Sequence, residues 1–172
     1  MSATPHIKPI NAVFCDDIRR EVTGKHILIG VYGGDIILPH LPAPVVLAVW
    51  VPFKRENSAE GKIPIEFRVV TTGDDNQALG YGSMEITISG ATEEGALTFP
   101  ALAMMINRPG ALVFQLKQYD EPWQNIASLK VGVQSGSPIV SGPSPPSSQS
   151  ESVAQELTPR SVPSRPARRR RS

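Results

Sequence analysis

The stretch Ile63-Pro64-Ile65-Glu66-Phe67-Arg68-Val69 (IPIEFRV) decides the fold. Its apolar side chains fall on every second position, with charged ones between Ile65 and Val69. Successive side chains of an extended strand point to opposite faces. A period of two therefore turns Ile63, Ile65, Phe67 and Val69 toward a core and leaves Glu66 and Arg68 in water. Similar short runs, each closed by a turn signal, recur roughly every ten residues from Ile10 to Val133.

Toward the C-terminus, Gly73-Asp74-Asp75-Asn76 forms a turn and residues 77–89 a long strand whose phase changes at Gly82. A bulge at Gly80–Gly82 is predicted, bringing Leu79 and Tyr81 to the same face as Met84, Ile86 and Ile88. Residues 96–106, 111–119 and 126–133 complete the set, linked by Asn107-Arg108-Pro109-Gly110 and Asp120-Glu121-Pro122-Trp123. In residues 111–119, Leu112, Phe114 and Leu116 alternate with Val113, Gln115 and Lys117, which predicts one wet face.

Toward the N-terminus, residues 45–51 (VVLAVWV) are apolar on both faces and suit a strand covered on two sides. Before them, residues 10–15 and 26–32 read as strands, 16–24 as the turn between them, and 36–38 as a short strand. The three prolines of residues 39–44 predict an exposed crossing, and residues 52–62 a polar loop. The best helix candidate, residues 16–22, is short and has no apolar stripe. Seven or eight short strands with helices nearly absent predict an antiparallel β-sandwich, Ig-like, with a closed barrel as the alternative.

The 172 residues divide by composition. Before Pro138 there are 11 basic and 14 acidic residues and all ten aromatic ones, so a core can form only there. From Pro138 onward there are six Arg, two Glu, seven Pro and nine Ser, a basic segment too poor in apolar surface to offset the entropy of ordering. The expected organisation is a flexible N-terminus (1–9), a sandwich domain (10–135) and a disordered Ser/Pro/Arg-rich tail (136–172). A single cysteine, Cys15, excludes an intrachain disulfide and fits a reducing compartment. Residues 1–9 have no apolar run of the signal-peptide kind. The longest apolar run, 45–51, is far too short to span a bilayer, so a cytoplasmic protein is expected.

Phe14 to Ile36 (FCDDIRREVTGKHILIGVYGGDI) resembles the opening of a family of uncharacterised bacterial and phage proteins. That family begins with a similar Cys-Asp-Asp-x-Arg block followed by Gly-Lys and Gly-Val-Tyr. The hairpin around Arg108-Pro109-Gly110 is similar to the family's closing strands, although Ala111, Leu112 and Val113 stand before Phe114 where the family often has an aromatic residue. The likeness spans roughly residues 8–133 and implies a compact β domain. The family has no assigned activity, so the resemblance implies no site residue.

Chemistry-bearing residues are few. Cys15 and His26 would face each other if residues 10–15 and 26–32 paired, the minimum for thiol nucleophilic chemistry. Asp16 and Asp17 beside the sulfur disfavour the thiolate, and no oxyanion site follows, so a buried thiol and a strand-end imidazole are the simpler reading. The acidic pairs Asp16-Asp17, Asp74-Asp75, Glu93-Glu94 and Asp120-Glu121 sit in predicted loops. Carboxylates from two loops at one end of a sandwich can hold Ca²⁺, and Glu93-Glu94 and Asp120-Glu121 are the pairs expected to share an end.

His6, His26 and His40 lack metal-ligand spacing, and HExxH, CxxC, GxSxG, P-loop and dinucleotide fingerprints are all missing. Gly30–Gly34 is glycine-rich, but no helix follows to cradle phosphate. Arg168, Arg169, Arg170 and Arg171, with Arg160 and Arg165 before them, are candidates for weak polyanion contact. Arg160-x-x-Pro163-x-x-Pro166 also fits a polyproline ligand. Trp50 and Trp123 are expected to pack, Trp123 being the more exposed.

The expectation is a non-enzymatic scaffold or protein-interaction module without cofactor, using a sheet edge or end loops and open to homo-oligomers. Its alternatives are an ion- or small-ligand-binding sandwich and a tail that attracts nucleic acid.

Overall fold

The computed structural model describes residues 3–72, 78–91 and 93–134, which all lie within the chain's first compact unit. They form eleven strands and no helix. In chain order these are β1 (Ile7–Pro9), β2 (Val13–Cys15), β3 (Asp17–Arg20), β4 (His26–Ile29), β5 (Asp35–Leu38), β6 (Ala43–Arg55), β7 (Gly61–Thr71), β8 (Ala78–Ile88), β9 (Glu94–Ile106), β10 (Gly110–Gln118) and β11 (Gln124–Val133). The tail from residue 135 onward, including the expected disorder there, lies outside the described residues.

Two open sheets pack face to face, so the fold is a β-sandwich and not the alternative closed barrel. One sheet has the order β5-β11-β10-β7-β8, antiparallel throughout except for the parallel pair β5–β11. In the other, β6 pairs along its length with β9 on one side and with β1 and β2 on the other. A third element, the two-stranded β3–β4 hairpin, packs against β6 and β9.

The alternation in IPIEFRV behaves as its pattern requires. Ile63, Ile65 and Val69 are fully buried, and Phe67 packs against the core between them. Leu112, Phe114 and Leu116 in β10 are also fully buried. Phe67, Phe99 and Phe114 meet between the sheets, their ring centroids 4.5 to 6.1 Å apart in tilted and stacked arrangements. Burying each such ring stabilises the fold by about 2–3 kcal/mol.

Three local departures from the sequence expectation have physical causes. First, β6 runs from Ala43 to Arg55, through parts of both the predicted crossing and the predicted loop. Its prolines are tolerated because the β1/β2 side of β6 is paired only at Ala48–Trp50 and Phe53–Arg55, leaving Pro44 and Pro52 opposite gaps.

Second, the bulge in β8 falls at Leu79, where the register with β7 shifts between Val69 and Val70, and not across Gly80–Gly82. Leu79 consequently turns inward while Tyr81 faces out, 62% exposed. Gly82 stays glycine because an added Cβ would strike the Phe67 ring.

Third, the N-terminal residues are tied down. Ile7 in β1 is 1% exposed, and the buried Gln118 amide clamps it across the sandwich. Gln118 Oε1 accepts from the Ile7 N–H at 3.0 Å, and its Nε2 donates to the Ile7 carbonyl at 2.7 Å.

One end of the sandwich is gathered by Arg55. Its guanidinium donates to the carbonyls of Asn57 (2.5 Å), Ala59 (3.0 Å), Ser89 (3.1 Å) and Gly90 (3.4 Å), joining the β6–β7 loop to the β8–β9 turn. A fixed fork of five donors is what lets one side chain satisfy several carbonyls.

Candidate functional site

The structure separates Cys15 from His26. The β3–β4 turn is only Glu21–Gly24, with Gly24 at φ +87° and its N–H bonded to the Glu21 carbonyl. A turn this tight sets His26 opposite Arg20. Cys15 lies in β2, in register with Ala48 of β6. The chain after β4 returns beside it, with the Asp16 N–H bonded to the Ile29 carbonyl and the Tyr32 N–H to that of Phe14. Gly30 permits this approach: at φ +65°, a side chain there would overlap the Asp16 carboxylate.

Cys15 is fully buried and its thiol lies 3.7 Å from the Ala48 carbonyl. Burial first, then the charges of Asp16 and Asp17, push its pKa upward, the opposite of what a nucleophilic thiol needs.

The acidic pairs have local partners. Tyr32 donates to Asp16 at 2.5 Å, and burial together with this bond to a carboxylate raises the phenol pKa to about 12. Asp17 pairs with Arg19 at 3.0 Å and Glu94 with Lys54 at 2.8 Å. Glu121 lies 3.6 Å from His6. Glu93-Glu94 and Asp120-Glu121 do share the Arg55 end of the sandwich. Among the described residues, however, no three His, Cys, Asp or Glu side chains are placed to hold a metal ion. Asp74-Asp75 and the arginines at 160, 165 and 168–171 lie outside the described residues.

Trp123 closes the outer face of the five-stranded sheet. Its ring packs on the Arg68 guanidinium at 4.4 Å and the Lys117 ammonium at 5.2 Å, with Tyr81 edge-on at 6.5 Å. Beneath it a polar ladder crosses the strands. Arg68 donates to Gln115 at 2.6 Å and Gln115 to Asn125 at 2.6 Å. Tyr81 donates to Glu66 at 2.6 Å, and Lys117 pairs with Glu66 at 3.0 Å. These donors hold the Glu66 carboxyl below its ordinary pKa, the Tyr81 hydroxyl contributing most and Lys117 next.

The other outer face holds a cleft of about 350 Å³ between the β3–β4 hairpin and β9, lined by Ile18, Arg20, His26, Ala96, Thr98 and Pro100. Sequence reasoning missed it. Arg20 and Thr98 are 78 positions apart, and no spacing or motif announces that the hairpin folds back over β9.

The free sheet edges differ sharply. Edge strands present unpaired backbone groups, which proteins blunt with Pro, charge, bulges or brevity. β9 carries Pro100 and a left-handed Ala101 (φ +57°), with an irregular register opposite Leu47–Val49. β1 and β2 have three residues each, and β5 has four. β8 has eleven residues (ALGYGSMEITI), without Pro, Lys or Arg; its bulge lies near one end, at Leu79, its one charge is Glu85, and among the described residues it pairs only with β7.

No protein-family model matches the chain, and no curated protein matches it. Among solved structures, the chain is similar to a glycosyl hydrolase family 2 member from Bacteroides cellulosilyticus DSM 14838, with 13% identity and a TM-score of 0.39. The match covers 74% of this chain and 28% of that one, so the chain spans under a third of that protein's length. Among the described residues no helix is long and apolar enough to cross a membrane.

Proposed function

We propose that this domain is a non-enzymatic interaction module that assembles through the free edge of β8, with a second copy of the chain as its occupant. The supporting observation is that eleven-residue edge, among the described residues the longest one left without proline, basic residue or covering strand. An added strand would satisfy its unpaired N–H and C=O groups.

Self-pairing suits the sequence of β8. An antiparallel pair overlapping over Ala78–Ile88 centres on Ser83. Gly80 then stands opposite Ile86, Gly82 opposite Met84 and Tyr81 opposite Glu85. Small residues meet large ones on the inner side, where the space beside Gly80 is open. On the outer side a phenol meets a carboxylate, and the two copies of Glu85 stay apart. Cross-strand pairs of this kind set register.

Sedimentation of the full chain tests the reading, with dimer expected at about 100 µM, the range of modest strand-addition affinities. Ser83→Lys places two ammonium groups face to face at the twofold axis and weakens the dimer at least about tenfold. Ser83→Cys in a Cys15→Ala background forms an intermolecular disulfide on oxidation. A monomer at that concentration, with no disulfide, overturns self-pairing. A monomer that binds an extended peptide, with binding lost in Ser83→Pro, keeps the edge and replaces its occupant.

A further inference from the structure

The cleft beneath the β3–β4 hairpin has a polar lining without negative charge. Arg20 brings a guanidinium, Thr98 a hydroxyl and His26 an imidazole, and no carboxylate lines it. Neither Arg20 nor Thr98 makes a side-chain hydrogen bond or ion pair with any described residue, although Arg19 next in sequence is paired with Asp17 on the hairpin's other side. The nearest acidic group along the same face of β9, Glu94, is engaged by Lys54.

A second, independent feature adjoins the cleft. Trp50 is in register with Thr98, and its ring centroid lies 6.4 Å from that of His26. Its indole Nε1–H is buried and has no hydrogen-bond partner. A buried donor without an acceptor is destabilising, and native proteins keep few of them. Arginine and threonine donors thus line a cavity that contains no carboxylate, and the unpartnered Trp50 indole is buried in the layer beside it. The remaining walls, Ile18, Ala96 and Pro100, are apolar.

We propose that this cleft binds a small organic anion: a compact apolar body carrying one carboxylate or phosphate group. Arg20 makes a charge-assisted, two-pronged contact with the oxyanion, as guanidinium geometry favours. Thr98 donates a further bond, His26 flanks the ligand, and the body of the ligand rests on Ile18, Ala96 and Pro100. The volume of about 350 Å³ suits a molecule of this size and is at the small end for ligand sites. The site is separate from the β8 edge and stands or falls without it.

The chain has two tryptophans, so amide-and-indole NMR of the full-length protein reads the site directly. Trp123→Phe assigns the two indole resonances. The probes are benzoate, phenyl phosphate and, as the uncharged control, benzyl alcohol. Saturable movement of the Trp50 resonance with benzoate or phenyl phosphate, and none with benzyl alcohol, is expected. Whichever anion binds more tightly identifies the group recognised.

Arg20→Gln, on an exposed strand position, should keep the dispersed spectrum and weaken binding roughly tenfold or more. Thr98→Val should weaken it by a few-fold. No saturable movement with either anion, an equal response to benzyl alcohol, or unchanged affinity in Arg20→Gln would each overturn the proposal.

Discussion

Ala48 in β6 and Gln115 in β10 occupy equivalent places, each on the outward side of a central strand of its sheet. Ala48 is 1% exposed because the β3–β4 hairpin lies over that face, sealing it together with Cys15. Gln115 is only partly buried, held by side chains: Arg68, Asn125 and, above them, Trp123. One outer face is closed by a folded-back piece of chain and the other by a lattice of polar side chains. Close cover at Ala48 leaves room for only a small side chain. Side-chain cover tolerates long polar ones.

The largest test of this contrast introduces one arginine on each face. Ala48→Arg forces a cation under the hairpin and should cost at least about 3 kcal/mol, or prevent folding. Gln115→Arg, in the open lattice, should stay within about 1 kcal/mol. Urea denaturation measures both, and equal losses would break the comparison.

Next in size is Gln118→Ala, which removes the tie between the layers and leaves the Ile7 N–H and C=O without their partner. About 2–3 kcal/mol is expected in the same measurement, with the N-terminal amides losing hydrogen-exchange protection first. Arg68→Ala should cost about 1 kcal/mol, since its contacts are partly solvated, and should shift Trp123 emission to the red.

The smallest effects are those of titration. Glu66 has a lowered pKa in the folded state, so its stabilising contribution is complete above the ordinary carboxylate range and disappears as pH falls through the lowered value. A carboxyl-carbon NMR titration should find Glu66 titrating below the ordinary carboxylate range, and Tyr81→Phe should move it back upward. Tyr32 behaves in the opposite sense. With its pKa raised to about 12, its contribution is complete below pH 10 and is lost between there and 12. Asp16→Asn should narrow that window.

The side-chain-covered sheet was the legible one. Its strands are wet on one face, so hydrophobic periodicity alone reports Ile63–Val69 and Leu112–Leu116 correctly. Cover on both faces of residues 45–51 was legible for 47–51, whereas Val46 is 55% exposed, and what covers the strand was not legible. DIRR and HILI read as a turn and the start of a longer strand because their pairing depends on a tight Glu21–Gly24 turn and on docking over β6 and β9. The cleft follows from that docking and was invisible for the same reason. β1 was read as a flexible lead because three residues ending in Pro9 carry no period, and its anchor sits 111 positions away. The displaced bulge turned on Leu79 against Tyr81, a choice that the alternation within β8 does not make.

The Gln118 clamp also orders events during synthesis. The amide that holds Ile7 leaves the ribosome 111 residues after it. Contacts this distant in sequence form late and slow the search for the native state. A nascent chain stalled before Gln118 clears the exit tunnel would leave β1 undocked and open to degradative enzymes until that amide emerges.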